Sequence, residues 1–254
     1  MKIYTAERTN EKSQTDNPIL QRLLCAYNYA KSYVKGTTLE VGCGEGYGAK
    51  IFDGIADKYI GIDKYESKNK ENFKNIEFIK MKVPYMRLFN DDTFDTIICF
   101  QVIEHIKRDD ILLREIYRVL KPGGVCLLST PNKKMSLTRN PYHVREYHMN
   151  ELYERLILVF KDIDFKGVFG DELVMKYYYE NKKSVERYTR YDIFRLQYIL
   201  PRWILKLPYD IFNRLNRINL YKRNNNIVKD ISINNYYIDF AKENCLDFLV
   251  ILKK

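Results

Sequence analysis

The chain has no apolar run near the ~20 residues that a membrane-spanning helix needs. Its first residues, MKIYTAERTNEKSQTDN, are polar and lack the apolar stretch of a secretory leader. Neither a transmembrane helix nor an exported product is expected, which leaves a cytoplasmic location as the expectation. There is no C-x-x-C pair: Cys25, Cys43, Cys99, Cys126 and Cys245 are scattered and odd in number. Three of them sit inside strand-like runs, so they read as reduced core residues of a cytosolic protein. Histidine is scarce, with His105, His143 and His148 the only three. No internal repeat is present, and Asn224 to Asn226 is the only low-complexity patch. The 254 residues, 46% of them hydrophobic, suffice for one domain with an elaboration. The net charge of +10 suits nucleic acid, anionic lipid or acidic glycans, and does not rank them.

Against this background one stretch stands out. TLEVGCGEGYGAK reads as a buried strand running into a glycine-rich turn and a helix, with Gly42, Gly44, Gly46 and Gly48 at alternate positions. Glycines there let the backbone bend and a ligand approach it. Glu40 closes the strand, and Asp63 closes the next strand-like run, YIGID. That spacing fits a nucleoside cofactor whose ribose hydroxyls are held by carboxylates. A dinucleotide loop would need a glycine where Tyr47 stands, and a phosphate-cradling loop needs an interval and a hydroxyl residue that are missing around Lys50.

Strand-like runs recur at 38–41, 59–62, 76–81, 96–100 and 125–129. Helical spacing occupies 17–34, 50–55, 110–120 and 150–160, the last capped by Asn150 with Glu154 nearby. This alternation predicts an α/β fold: a doubly wound, Rossmann-like, mostly parallel seven-stranded sheet with helices on both faces. The expected organisation is an N-terminal lid and helix at 1–36, a cofactor-binding core at 37–170, a helical insertion or cap at 171–240, and a final core strand at 241–254. A sixth strand is expected at 165–169.

The segment FDTIICFQVIEHI ends a buried strand and exposes Gln101, Glu104 and His105, and RVLKPGGVCLLSTPN follows it. In an open α/β sheet, ligands bind beyond the carboxyl ends of the strands, so these residues face the crevice of the glycine loop. With the E-x-G-x-G-x-G loop, the chain over about 17–170 resembles the class I S-adenosylmethionine-dependent methyltransferases, in particular the ubiquinone-biosynthesis type and the sugar and small-molecule O-methyltransferases. The resemblance is specific for fold and cofactor and unspecific for the acceptor. It implies S-adenosyl-L-methionine as cofactor and S-adenosyl-L-homocysteine as product. It implies that Glu40 supports the loop, that Gly42, Cys43, Gly44 and Gly46 let the methionine part approach, and that Asp63, with Lys64 beside it, binds the ribose. Met81 and Lys82 border the adenine, and Gln101 lines the path to the sulfonium. Relatives often carry an acid after the third strand; KMKVP has none, so backbone contacts are expected there.

Methyl transfer to a hydroxyl needs a base, and histidine is the natural one near neutral pH. His143 or His105 is assigned that role, with Glu104 in the same catalytic group; the bland alternative for each histidine is a structural role. No metal is assigned, but Glu104, His105 and His143 could offer one oxygen and two nitrogens to a divalent ion. That layout is similar to the one in small-RNA terminal 2′-O-methyltransferases. Arg145, Glu146 and Tyr147 are candidates for the acceptor site, with a surface ion pair as the plain reading of Arg145 and Glu146. Glu7 and Arg8 could fold over the pocket as a lid. The stretch 200–217 mixes apolar and basic residues and holds Trp203. It reads as a capping helix pair that Pro201 and Pro208 break into short pieces, with an interfacial, lipid-docking helix as the alternative.

The reading is an O-methyltransferase for a sugar, glycan intermediate or small polar metabolite. Nucleic acid as partner is not favoured, because no RNA-binding module is recognisable. An RNA 2′-O-methyltransferase with a divalent metal and a non-catalytic cofactor-fold subunit are the two rivals.

Overall fold

The computed structural model of the protein describes residues 13–66, 74–190 and 196–254. It divides into two compact units. The sheet unit holds 26–134, 144–168 and 238–254, and the helical unit holds 135–143, 169–237 and the residues up to 25. Glu7 and Arg8 lie outside the described residues.

In chain order, α1 (Asn17–Ala30) leads to β1 (Thr37–Val41), α2 (Tyr47–Phe52), β2 (Lys58–Asp63), β3 (Ile76–Lys80), β4 (Phe94–Phe100), α3 (Asp109–Val119) and β5 (Leu120–Pro131). Then come α4 (Met149–Leu156) and β6 (Asp162–Gly170). The helices α5 (Glu172–Thr189), α6 (Leu196–Ile199), α7 (Arg202–Arg223) and α8 (Asn225–Asp230) precede β7 (Tyr236–Phe240) and β8 (Asp247–Lys253). The sheet runs β3-β2-β1-β4-β5-β8-β6-β7. Strands β1 to β5 pair in parallel, and β8 lies antiparallel between β5 and β6. Burial of consecutive residues along β1, β4 and β8 is the pattern of strands covered on both faces. Ile97, Ile98, Leu127, Leu128, Val250 and Ile251 form its apolar centre, and all five cysteines are buried.

Among the described residues the sheet has eight strands rather than seven. The extra one, β7, ends the segment expected to be wholly helical; Tyr236 is buried there, and Tyr237 stacks on Phe169 with ring centroids 5.5 Å apart. Three boundaries also move. α1 stops at Ala30 rather than Val34, and α2 starts at Tyr47, directly after Gly46. α4 is capped by His148, not Asn150: the His148 backbone N–H donates to Glu151 at 2.9 Å. Finally, 202–223 is one 22-residue helix with Pro208 inside it. Pro201 caps it rather than splitting it. Pro208 lies on an exposed face, where the carbonyl deprived of a backbone donor four residues back can meet water.

Candidate functional site

The carboxyl ends of β1, β2 and β4 meet at the glycine loop. The loop is hooked onto β2: Gly42 N–H and Cys43 N–H both donate to the Ile62 carbonyl, at 2.7 and 3.0 Å. Gly44 N–H donates to Asp63 Oδ2 at 3.1 Å, and Tyr65 N–H donates to the other oxygen at 2.9 Å. Met81 N–H donates to the Asp63 carbonyl at 2.8 Å, which ties the segment after β3 to the same corner. Asp63 is thus held at the mouth of the loop, half-buried, with its carboxylate oriented by two backbone donors.

Gly42, Gly44 and Gly48 do different things. A Cβ on Gly42 would lie 2.3 Å from Val102 Cγ2, so this glycine makes room for the chain leaving β4. Gly44 has φ +54 and would meet nothing closer than a carbonyl 4.0 Å away, so its bare backbone faces open space. Gly48 makes room for Glu40: a Cβ there would lie 1.9 Å from Glu40 Oε2 and 3.0 Å from the Tyr59 hydroxyl. Cys43 is buried and fills the space that Gly61 leaves in β2.

Glu40 is held inside the fold by two tyrosines. It is 1% exposed, and the hydroxyls of Tyr27 and Tyr59 donate to its two oxygens. Burial lifts its carboxyl from 4.5 to about 7, while both phenol donors pull the other way. Burial first, and the Glu40 charge next, push both tyrosines well above their ordinary range. The folded state therefore holds the Glu40 proton more tightly than the unfolded chain does. The stability this contributes is complete below pH 4.5 and is lost as pH rises through about 7. The loss is on the order of 3 kcal/mol. Urea midpoints compared between about pH 5 and about pH 8 are expected to fall more steeply for wild type than for Glu40→Gln. Equal slopes would contradict it.

Gln101 follows β4 with φ +56; its backbone N–H donates to the Ser129 carbonyl at 2.9 Å. Its side chain donates to Ser129 Oγ at 3.4 Å. Glu104 is buried and accepts from Thr130 Oγ1 at 2.9 Å. The Glu104 carbonyl receives the N–H groups of Val144 and Arg145. His105, next in sequence, is half-buried. His143 belongs to the helical unit, where its Nε2 lies 2.9 Å from Asn140 Nδ2. Lys64 and Lys82 are exposed and Met81 is half-buried.

The plain reading of Arg145 as half of a surface ion pair does not hold, because its partner is buried. Arg145 pairs with Asp109, whose side chain is 3% exposed. The Tyr147 hydroxyl donates to the same carboxylate at 2.8 Å, and Arg155 reaches its other oxygen at 3.2 Å. Tyr147 is fully buried, and burial followed by Asp109 raises its phenol. Arg145 and Tyr147 therefore fasten the loop onto α3, because a buried carboxylate needs charged and hydroxyl donors around it. Glu146 remains half-buried on that loop. Four contributors were not foreseen as site residues: Tyr27, Tyr59, Gly48 and Asp109.

An open groove of about 670 Å³ runs along α3, lined by Tyr85, Arg87, Phe89, Asp91, Glu115 and Arg118 among others. Arg118 there already donates to Glu115, Asp91 and the carbonyls of Met86 and Phe89, so its charge is spent within the groove wall.

The residues present fit a nucleoside cofactor. An oriented carboxylate stands beside a glycine backbone with open space over it, at the strand ends where α/β sheets bind ligands. Comparison with known proteins agrees. A family model described as "Methyltransferase domain" matches residues 15–168. A probable S-adenosylmethionine-dependent methyltransferase of Mycolicibacterium smegmatis is 33% identical over 181 residues, 65% of this chain and 68% of that protein. A ubiquinone biosynthesis O-methyltransferase of Rickettsia bellii is 25% identical over 127 residues, 46% of this chain and 50% of that one. The chain thus spans between half and about two-thirds of these relatives. Among solved structures, a SAM dependent methyltransferase from Archaeoglobus fulgidus shares the fold, with a TM-score of 0.54 at 17% identity over 93% of this chain and 94% of that one.

Proposed function

The chain belongs to the class I S-adenosylmethionine-dependent methyltransferases, and we propose that it moves the cofactor's methyl group onto a hydroxyl of a sugar, a glycan intermediate or another small polar metabolite. The observation that carries the reading is the Asp63 carboxylate latched to Gly44 at the mouth of the glycine loop. In this reading Asp63 accepts from the ribose hydroxyls, and the bare backbone at Gly44 admits the methionine part. Met81 and Lys82 border the adenine, and Gln101 lines the path to the sulfonium. S-adenosylmethionine supplies an electrophilic methyl on a sulfonium. The protein's own work is to hold the acceptor oxygen in line and to take its proton. Placement of that kind accounts for most of the rate in such displacements.

Two points support a hydroxyl acceptor. His105 stands half-buried just past the end of β4, and an imidazole titrates near neutral pH, where an alcohol's proton must be taken as the bond forms. The Rickettsia relative is named an O-methyltransferase. Calorimetric titration with S-adenosylhomocysteine tests the cofactor side: Asp63→Ala is expected to bind about 100-fold more weakly, as loss of charged hydrogen bonds to two hydroxyls implies. His105→Ala is expected to keep that affinity and lose about 100-fold in turnover on a polyol or sugar acceptor. Absence of binding by folded wild type would end the enzyme reading, and methyl found on nitrogen would end the O-methylation reading.

A further inference from the structure

Helix α7, in the helical unit, is amphipathic in the wrong sense for a helix that meets only water. Its inward face is polar: Asp210 accepts from the Tyr142 hydroxyl, Asn216 bonds Asn181 and Ser184, and Arg217 pairs with buried Asp16. Its outward face is apolar. Trp203 is 75% exposed, Leu207 59%, Phe212 56%, Leu215 51%, and Ile204 and Ile211 are exposed beside them. At 100° per residue these positions fill about half the circumference of the helix. Contiguous apolar surface of this extent on a soluble protein marks an interaction site.

The charges identify the occupant. The segment RWILKLPYDIFNRLNRINLYKR carries six basic residues and one acid, Asp210, which is buried on the inward face. Lys206, Arg214, Lys222 and Arg223 are exposed, Arg214 beside the apolar stripe. A second copy set against this face about a twofold axis would bring these cations against their own images. Anionic headgroups would pair with them while the acyl boundary takes the apolar stripe. Trp203, like Tyr188, whose exposed ring lies 6.2 Å from that of Phe212, is a residue type that settles at a water–lipid boundary. No helix among the described residues is long and apolar enough to cross a membrane, so the contact is with a surface. We propose that α7 docks the protein on anionic lipid, lying in the plane of the headgroups.

Trp203 is the chain's only tryptophan, so intrinsic emission reports this one position. With the full chain and phosphatidylcholine vesicles containing phosphatidylglycerol, emission is expected to shift to the blue as protein sediments with lipid. Pure phosphatidylcholine should hold far less protein, and added salt should release it. Arg214→Glu with Lys222→Glu is expected to weaken partitioning at least about 30-fold. Leu207→Glu with Phe212→Glu should abolish it with the unfolding midpoint unchanged, since both side chains are exposed. No shift and no sedimentation with anionic vesicles would overturn the proposal. So would an already blue emission in lipid-free solution accompanied by a dimer that Leu207→Glu with Phe212→Glu dissolves, which would assign the face to a second copy.

Discussion

Asp109→Ala is expected to destabilise the protein by about 3 kcal/mol, because several charge-assisted hydrogen bonds go and a buried phenol loses its acceptor, and to lower the unfolding midpoint by roughly 9 °C. The carboxylate at 3% exposure is the common acceptor of Arg145, Arg155 and Tyr147. Removing it leaves two guanidinium groups without their acceptor and a buried phenol with no partner there, so the loss exceeds that of any single hydrogen bond. The loop at 144–148, whose backbone is hung from the Glu104 carbonyl, should loosen as well. Asp109→Asn keeps the shape but only one strong acceptor, and should fall between. Asp110→Ala is the control: its carboxylate meets exposed Arg108, and pairs of that kind contribute little. Equal midpoints for the 109 and 110 variants would show that the cluster is ornamental.

The second large effect is at Gly48, and its sign should invert with background. Gly48 lies in α2 with no positive φ, so alanine suits its backbone and would ordinarily favour the helix by up to ~1 kcal/mol. The added methyl nevertheless lands 1.9 Å from Glu40 Oε2 and 2.8 Å from its carboxyl carbon. Long side chains usually swing away from such a clash. Glu40 cannot do so cheaply, because it is buried and both its oxygens hold phenols. Gly48→Ala should therefore cost about 3 kcal/mol in wild type. In a Glu40→Ala background the same change should be neutral or stabilising, a coupling that a double-mutant cycle reads directly. Additive effects would mean that Glu40 and Gly48 do not share the space.

Much of the sheet was legible because β1 to β5 are short apolar runs separated by turn residues, a signal that survives without tertiary information. The glycine loop and Asp63 were visible as a motif for the same reason: they are local. What sequence could not show is who meets whom across the fold. Tyr27 and Tyr59 lie 13 and 19 residues from Glu40 and reach it only once α1 and β2 are in place. Arg145, Tyr147 and Arg155 lie 36, 38 and 46 residues from Asp109, so Arg145 looked like a partner for its neighbour Glu146. The role of Gly48 against Glu40 was hidden because spacing cannot say which way a missing Cβ faces. α7 misled through Pro208, whose helix-breaking tendency is overridden where the face it occupies is open. β7 went unseen because five residues at the end of a long irregular stretch carry too little period.

The position of β8 between β5 and β6 has a consequence for biosynthesis. Those two strands do not pair with each other; each is bonded to β8, which follows both in sequence. On the ribosome the chain emerges with β1 to β5 able to assemble, while β5 and β6 each expose a row of unsatisfied backbone groups until residues 247–253 are free. A nascent or prematurely terminated chain lacking that segment carries two bare edges at the middle of its sheet and is the species that chaperones must shield.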